Sequence, residues 1–239
     1  MWPLCKKELR QFFGSLTGYM AVAVFLIAAG LVLFVFEDNI LDFGYSTLER
    51  FFLLAPWLLL LLIPAITMRS FAEEFRTGTY ELLATQPLSK TQLVAGKYFG
   101  ALLVVVVALL PTLLYGIAVE SLSAGEGLDK GATLGSYLGL LLLAAVFTMI
   151  GLYCSSLTTN TVVAFLAALV LCALLYYGFT AISRLPVLTG GADYWMEWLG
   201  IDQHYQSISR GLIDSRDVIY FFSLVLLFFV LTIRNLLQR

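Results

Sequence analysis

The segment EEFRTGTYELLATQPLSKTQ, Glu73–Gln92, gathers charges, a glycine, threonines and a proline between two long apolar runs, 51–68 and 98–119. Its ends carry helix-capping chemistry. In LSKTQL, Ser89 is placed to cap a helix while Gln92, three residues on, reaches back; Leu88 and Leu93 flank it as a hydrophobic staple. The helix that follows therefore begins near Lys90 and runs to about Val119, roughly 45 Å at the usual rise per residue. Upstream, Arg69–Phe75 continues the helical pattern of the preceding run, with Phe71 and Phe75 one turn apart, until Gly78 interrupts it. Thr79 fits as an N-cap and Glu81 as a first-turn acid for a short helix through Leu82 and Leu83 that Pro87 ends. The segment thus reads as stalk, break, one or two helical turns and second stalk, and not as a solvated loop.

The rest of the chain sets this segment in a membrane. Of 239 residues, 60% are hydrophobic and 13% charged, and the mean hydropathy is +0.91, well outside the range of soluble domains. A net charge of −2 gives no case for nucleic acid as a partner. Cys5, Cys154 and Cys172 show no CxxC or Cys/His spacing, so neither a disulfide framework nor a metal site is expected. His204, the only histidine, reads as a surface or interface residue and not as a ligand. Lys6, Lys7 and Arg10 precede an apolar run, Tyr19–Phe36, that is long enough to span and is read as a retained helix, not a cleaved leader.

Four spans are plain: 19–36, 51–68, 98–119 and 218–233. No charge lies between Lys130 and Arg184, a stretch of 184 − 130 − 1 = 53 residues. As one helix it would reach roughly 80 Å, so the polar cluster SSLTTNT, Ser155–Thr161, is read as the point that divides it into two. The expected fold is an all-α integral membrane protein, one domain of six transmembrane helices over 1–239. With the N-terminus in the cytoplasm, inside segments hold nine of the fourteen Lys and Arg, which favours an N-in, C-in orientation. No Asp, Glu, Lys, Arg or His falls in the central part of any span. That argues against an ion channel or self-powered transporter, and the driving energy is expected to enter from outside the bilayer.

Three further elements complete the reading. Residues 1–18 form an amphipathic helix on the membrane surface, with Leu4, Leu9, Phe12, Phe13 and Leu16 toward lipid and the basic groups near phosphates. Residues 69–97 are the cytoplasmic stalks and the short helix. Residues 183–217 form an outer-face segment of short interfacial helices, with Tyr194, Trp195 and Trp198 suited to an aromatic belt. Gly96 with Gly100, and Gly135 with Gly139, are GxxxG pairs read as helix-packing positions, while Pro64 and Pro111 fall inside spans as candidate kinks.

The stretch RSFAEEFRTGTYELLATQPLSKTQLVAGKY resembles the cytoplasmic segment of ABC-2 type ABC transporter permeases, its pattern falling on Glu74, Gly78, Thr79, Glu81, Leu83, Pro87, Ser89, Gly96 and Lys97. The N-terminal KKELRQFFGSLTGY is similar to the elbow helix of that family, and SISRGLIDSRDVIYFFSL resembles its gliding-motility-associated branch. The resemblance implies a type V exporter-like permease fold in the bacterial plasma membrane, with Thr79–Ala84 as a coupling helix. It implies that Arg76, Gly78, Thr79, Glu81, Leu82 and Leu83 meet an ATPase subunit, and that two ATPase chains assemble with this chain and a second permease chain. ATP and magnesium are then expected in the partner and no cofactor here. Around Gly96-Lys97, Thr91 stands where a phosphate-binding loop has its first glycine and Tyr98 where it has Ser or Thr. No catalytic or metal-binding residue is assigned. An intramembrane protease would need a Gly-x-Ser-Gly motif, which the chain lacks. A non-transporting anchor or scaffold of a motility or secretion machinery stays open as the alternative.

Overall fold

In the structure, a computed structural model, residues 2–36, 47–84, 89–122, 128–184, 192–211 and 214–238 are described, and every regular element among them is helical. The chain opens with α1 (Trp2–Phe13) and α2 (Leu16–Phe34), whose axes are bent by 72°. Ser15 makes the corner: its hydroxyl accepts from the Gly18 N–H at 3.2 Å and caps α2. At Gly18 an added Cβ would lie 2.3 Å from the Phe12 carbonyl oxygen, so the tight corner needs glycine there.

The next elements are α3 (Glu49–Thr67), α4 (Ala72–Thr77), α5 (Thr79–Ala84), α6 (Lys90–Leu109) and α7 (Leu113–Leu122). Pro111 sits in a 3-10 turn, Leu110–Thr112, that joins α6 to α7, because a proline removes one helical N–H and crowds the preceding turn. Helix α3 runs on past Pro64 to Thr67. Then follow α8 (Lys130–Leu157) and α9 (Thr161–Ala173), with a π turn (Leu174–Gly178) into α10 (Phe179–Ser183). The polar cluster does divide the uncharged stretch: α8 ends at Leu157 and Asn160 caps α9 by accepting from the Val162 N–H at 2.9 Å. Last come α11 (Ala192–Leu199), α12 (Ile201–Ser209) and α13 (Ser215–Leu237).

Five helical runs among the described residues are long and apolar enough to cross a membrane: Glu49–Thr77, Lys90–Ser121, Lys130–Leu157, Thr161–Ser183 and Ser215–Leu237. The bent pair α1–α2 supplies the sixth candidate. Side chains such as Val24, Leu61, Leu166, Val170, Phe222 and Leu226 face outward, as lipid contact requires. Helix α8 is the hub, packed by α3, α6, α9, α12 and α13, and its Leu140, Leu143, Phe147 and Ile150 are fully buried. Close approach to α3 depends on Gly151, where a Cβ would meet the Thr67 hydroxyl at 2.1 Å. All three cysteines are buried and unpaired.

The bundle has two unlike ends. One gathers α1, α4, α5, the start of α6, the α8–α9 junction and the end of α13, where the Asn235 amide donates to the Ser156 carbonyl at 2.7 Å. The other gathers the starts of α3, α8 and α13 with the short helices α11 and α12.

Candidate functional site

The polar segment that breaks the apolar pattern lies at the α1 end. The stalk expected from the sequence is present in one helical run from Glu49 to Thr77, with four residues, 68–71, in turns between α3 and α4. Ser155 of α8 holds these turns. Its hydroxyl accepts from the N–H groups of Phe71 and Ala72, at 3.0 and 3.1 Å, and donates to the Met68 carbonyl at 3.0 Å. Backbone groups freed by the interruption thus find partners inside the protein.

On α4, Glu74 is buried against α6 and α1. There it meets Lys97, which is 1% exposed. The Lys97 ammonium lies 2.8 Å from Glu74 Oε1 and 3.0 Å from Glu8 Oε1, and it donates to the Ser70 carbonyl at 2.7 Å. An ammonium has three protons, and three acceptors surround this one. The Phe71 ring covers it, 5.0 Å from centroid to Nζ. Lys7 of α1 gives Glu74 a second cation at 3.0 Å. Two ammonium groups and two carboxylates therefore tie α1, α4 and α6 together, and their formal charges cancel. Such a buried cluster is stable only while every charge keeps its partner.

Beyond this cluster the chain turns outward. Gly78 ends α4 at φ +70°, the left-handed region that glycine adopts without a Cβ penalty, and nothing lies within 4 Å of the place a Cβ would take. The requirement there is for backbone conformation, not space. Thr79, read as an N-cap, is instead the first residue of α5, and its hydroxyl pairs with that of Thr77 at 2.9 Å. Arg76 stands 3.9 Å from Glu73 and is mostly exposed, as are Gly78, Thr79 and Glu81. Phe75 and Tyr80 meet edge to face at 4.9 Å across the corner. Leu82 and Leu83 belong to α5, but their side chains lie outside the described residues, as do Pro87 and Leu88. The box that starts α6 is complete: Ser89 Oγ accepts from the Gln92 N–H, and Gln92 Oε1 from the Ser89 N–H, each at 3.2 Å.

The packing glycines divide between the two ends. Gly96 is buried in α6, and one turn later a Cβ on Gly100 would lie 2.8 Å from Glu8 Cβ, so α1 rests on this face. Gly135 and Gly139 face α12: a Cβ at Gly135 would meet Gly211 Cα and the Ile208 oxygen at 3.0 Å each.

A family model for ABC-2 family transporter proteins matches residues 2–193 of this chain. The chain belongs to the ABC-2 transporter family. It is thus a multi-pass membrane protein and a permease component of an ABC transporter, a family whose members associate with ABC ATPases. No curated protein matches it. The stretch covered takes in α1 to α10, with the whole ion cluster of this ABC-2 permease, and leaves α12 and α13 outside.

In those uncovered helices lies His204, where a surface or interface residue is expected and a buried one is found, 3% exposed. Its Nε2–H donates to the Trp198 carbonyl at 2.9 Å, and Nδ1 stands 2.7 Å from Asp217 Oδ1. The Tyr220 ring stacks on the imidazole at 4.0 Å. His204 therefore joins α11 and α12 to α13, and no group of metal-ligating side chains forms among the described residues.

Proposed function

We propose that this ABC-2 permease is driven by a separate ATPase subunit that grips α5 and the Gly78 corner. The observation that supports this is one of placement: an exposed, glycine-hinged corner sits directly on a buried ion cluster that reaches two other segments. Force applied at the corner moves α4, α4 carries Glu74, and Glu74 holds Lys97 of α6 and Lys7 of α1. Closure of the ATPase is thereby passed to the membrane bundle as rigid-body displacement. Arg76 and Glu81 supply charged contacts, Leu82 and Leu83 apolar ones, and Gly78 with Thr79 the bend.

The α1 end faces the cytoplasm in this reading, with both termini there, in a bacterial plasma membrane. Lys6, Lys7, Arg10, Arg69, Arg76, Lys90, Lys97 and Arg234 all fall at that end, as the bias of basic residues toward the cytoplasm requires. Two such permease chains, identical or related, work with two ATPase chains. ATP and magnesium belong to the ATPase: Gly96 and Lys97 lie inside α6, with the lysine held by two carboxylates and a carbonyl.

Glu81→Lys tests the reading, because it reverses an exposed charge on α5. The variant is expected to reach the membrane in normal amount while its ATPase copurification falls about tenfold or more. Unchanged capture of the ATPase, with unchanged transport, overturns it.

A further inference from the structure

At the end opposite the ion cluster, a cavity of about 460 Å³ opens between the starts of α3 and α8, the π turn and α12. Its size falls in the range of ordinary small-molecule sites, about 300–1,000 Å³. Phe52, Tyr176 and Tyr205 supply aromatic walls, and Asp202 a carboxylate that is 9% exposed.

The carboxylate is held by a neutral group: the Gln206 amide donates to Asp202 Oδ2 at 3.0 Å. No ion pair involves Asp202 among the described residues. This contrasts with the other buried carboxylates: Glu74 has two cations and Asp217 has an imidazole. A buried carboxylate without a counter-charge is costly, and a cation placed beside it removes that cost.

The walls are built for the same charge. Tyr176 sits in the π turn, an irregularity common at binding sites because the extra residue re-aims a side chain. Trp57 meets the Tyr176 ring at 5.8 Å, and Tyr205 is fixed by its hydroxyl, which donates to the Phe52 carbonyl at 2.7 Å. Rigid aromatic faces attract cations, more strongly where water is excluded. At the rim stand Glu49, Asp129 and Arg210, all exposed, so the four charged groups of the lining sum to −2.

We infer that this cavity binds a lipophilic organic cation, an ammonium or phosphonium centre carrying apolar groups, with Asp202 as its counter-ion. Binding needs only this chain, so it stands apart from the coupling reading above. The test uses the full chain in phosphatidylcholine nanodiscs and radiolabelled tetraphenylphosphonium in equilibrium dialysis, with empty discs as the blank. Saturable binding at one site per chain is expected, and none for the anionic isostere tetraphenylborate. Asp202→Asn is expected to weaken binding about tenfold or more through loss of a charge-assisted contact. Leu53→Trp, at a lining position 58% exposed and so harmless to folding, is expected to block the cavity. No saturable uptake over empty discs, or wild-type affinity in Leu53→Trp and in a folded Asp202→Asn chain, overturns the inference.

Discussion

The two ends of the bundle solve one problem, fastening short helices to long ones, in different ways. At the α1 end the joint is ionic and redundant: Lys97 touches two carboxylates and Glu74 touches two ammonium groups. At the opposite end an imidazole–carboxylate contact, His204 to Asp217, is clamped by a backbone carbonyl and a stacked ring, beside neutral hydrogen bonds from Tyr220 to the Leu199 carbonyl and from Tyr205 to the Phe52 carbonyl. Redundant ionic contacts let one pair lengthen while another holds, whereas a stacked and doubly bonded ring has one position. The difference suits the proposed coupling, in which the α1 end is the one that moves under load.

The largest test of this contrast is Lys97→Met. It leaves the buried Glu74 and the partly buried Glu8 without that cation and is expected to cost about 3–5 kcal/mol, whereas Asp217→Asn keeps a hydrogen-bonding side chain and costs about 1–3 kcal/mol. Thermal unfolding of the purified chains gives the ranking. Adding Glu8→Gln and Glu74→Gln to Lys97→Met should restore most of the loss, and a failure to restore it would mean that charge is not what the cluster supplies. Next in size are the glycine contacts. Gly135→Ala drives a Cβ against backbone of Ile208 and Gly211, while Gly100→Ala meets mainly the Glu8 stem, which yields more easily. Both fall in the overpacking range of about 1–3 kcal/mol, with Gly135→Ala the more damaging by the same thermal measurement. The smallest effect is that of Lys7→Ala. Its side chain is 47% exposed and Glu74 keeps Lys97, so the loss is expected at about 0.2–1 kcal/mol, and less in high salt. A loss as large as that of Lys97→Met would show that the joint is not redundant.

What the sequence made legible was local. The Ser89–Gln92 box, the Gly78 break and the division at Ser155–Thr161 each depend on residues within a few positions, and each is found in the structure. The helical spans were legible because lipid imposes long apolar runs. The joints were not. Lys97 finds Glu8 at a separation of 89 residues, and Ser155 reaches Phe71 across 84. No periodicity or cap records such a partner. The four turn residues within the stalk left no local mark because the Ser155 hydroxyl that satisfies their backbone comes from another helix, and His204 was misplaced because Asp217, thirteen residues on, lies in a different element. The cavity beside Asp202 had no sequence signal either, since a π turn is a matter of register and not of composition.

The burial of all three cysteines has a practical side. Cys5, Cys154 and Cys172 are 4%, 2% and 0% exposed, and at Cys5 burial, with Glu8 adding to it, pushes the thiol up and keeps the reactive thiolate scarce. The native chain should be almost silent to a membrane-impermeant maleimide. One introduced thiol, Glu81→Cys or Trp195→Cys, would then report alone, and vesicles of known sidedness would tell from which compartment each position is reached.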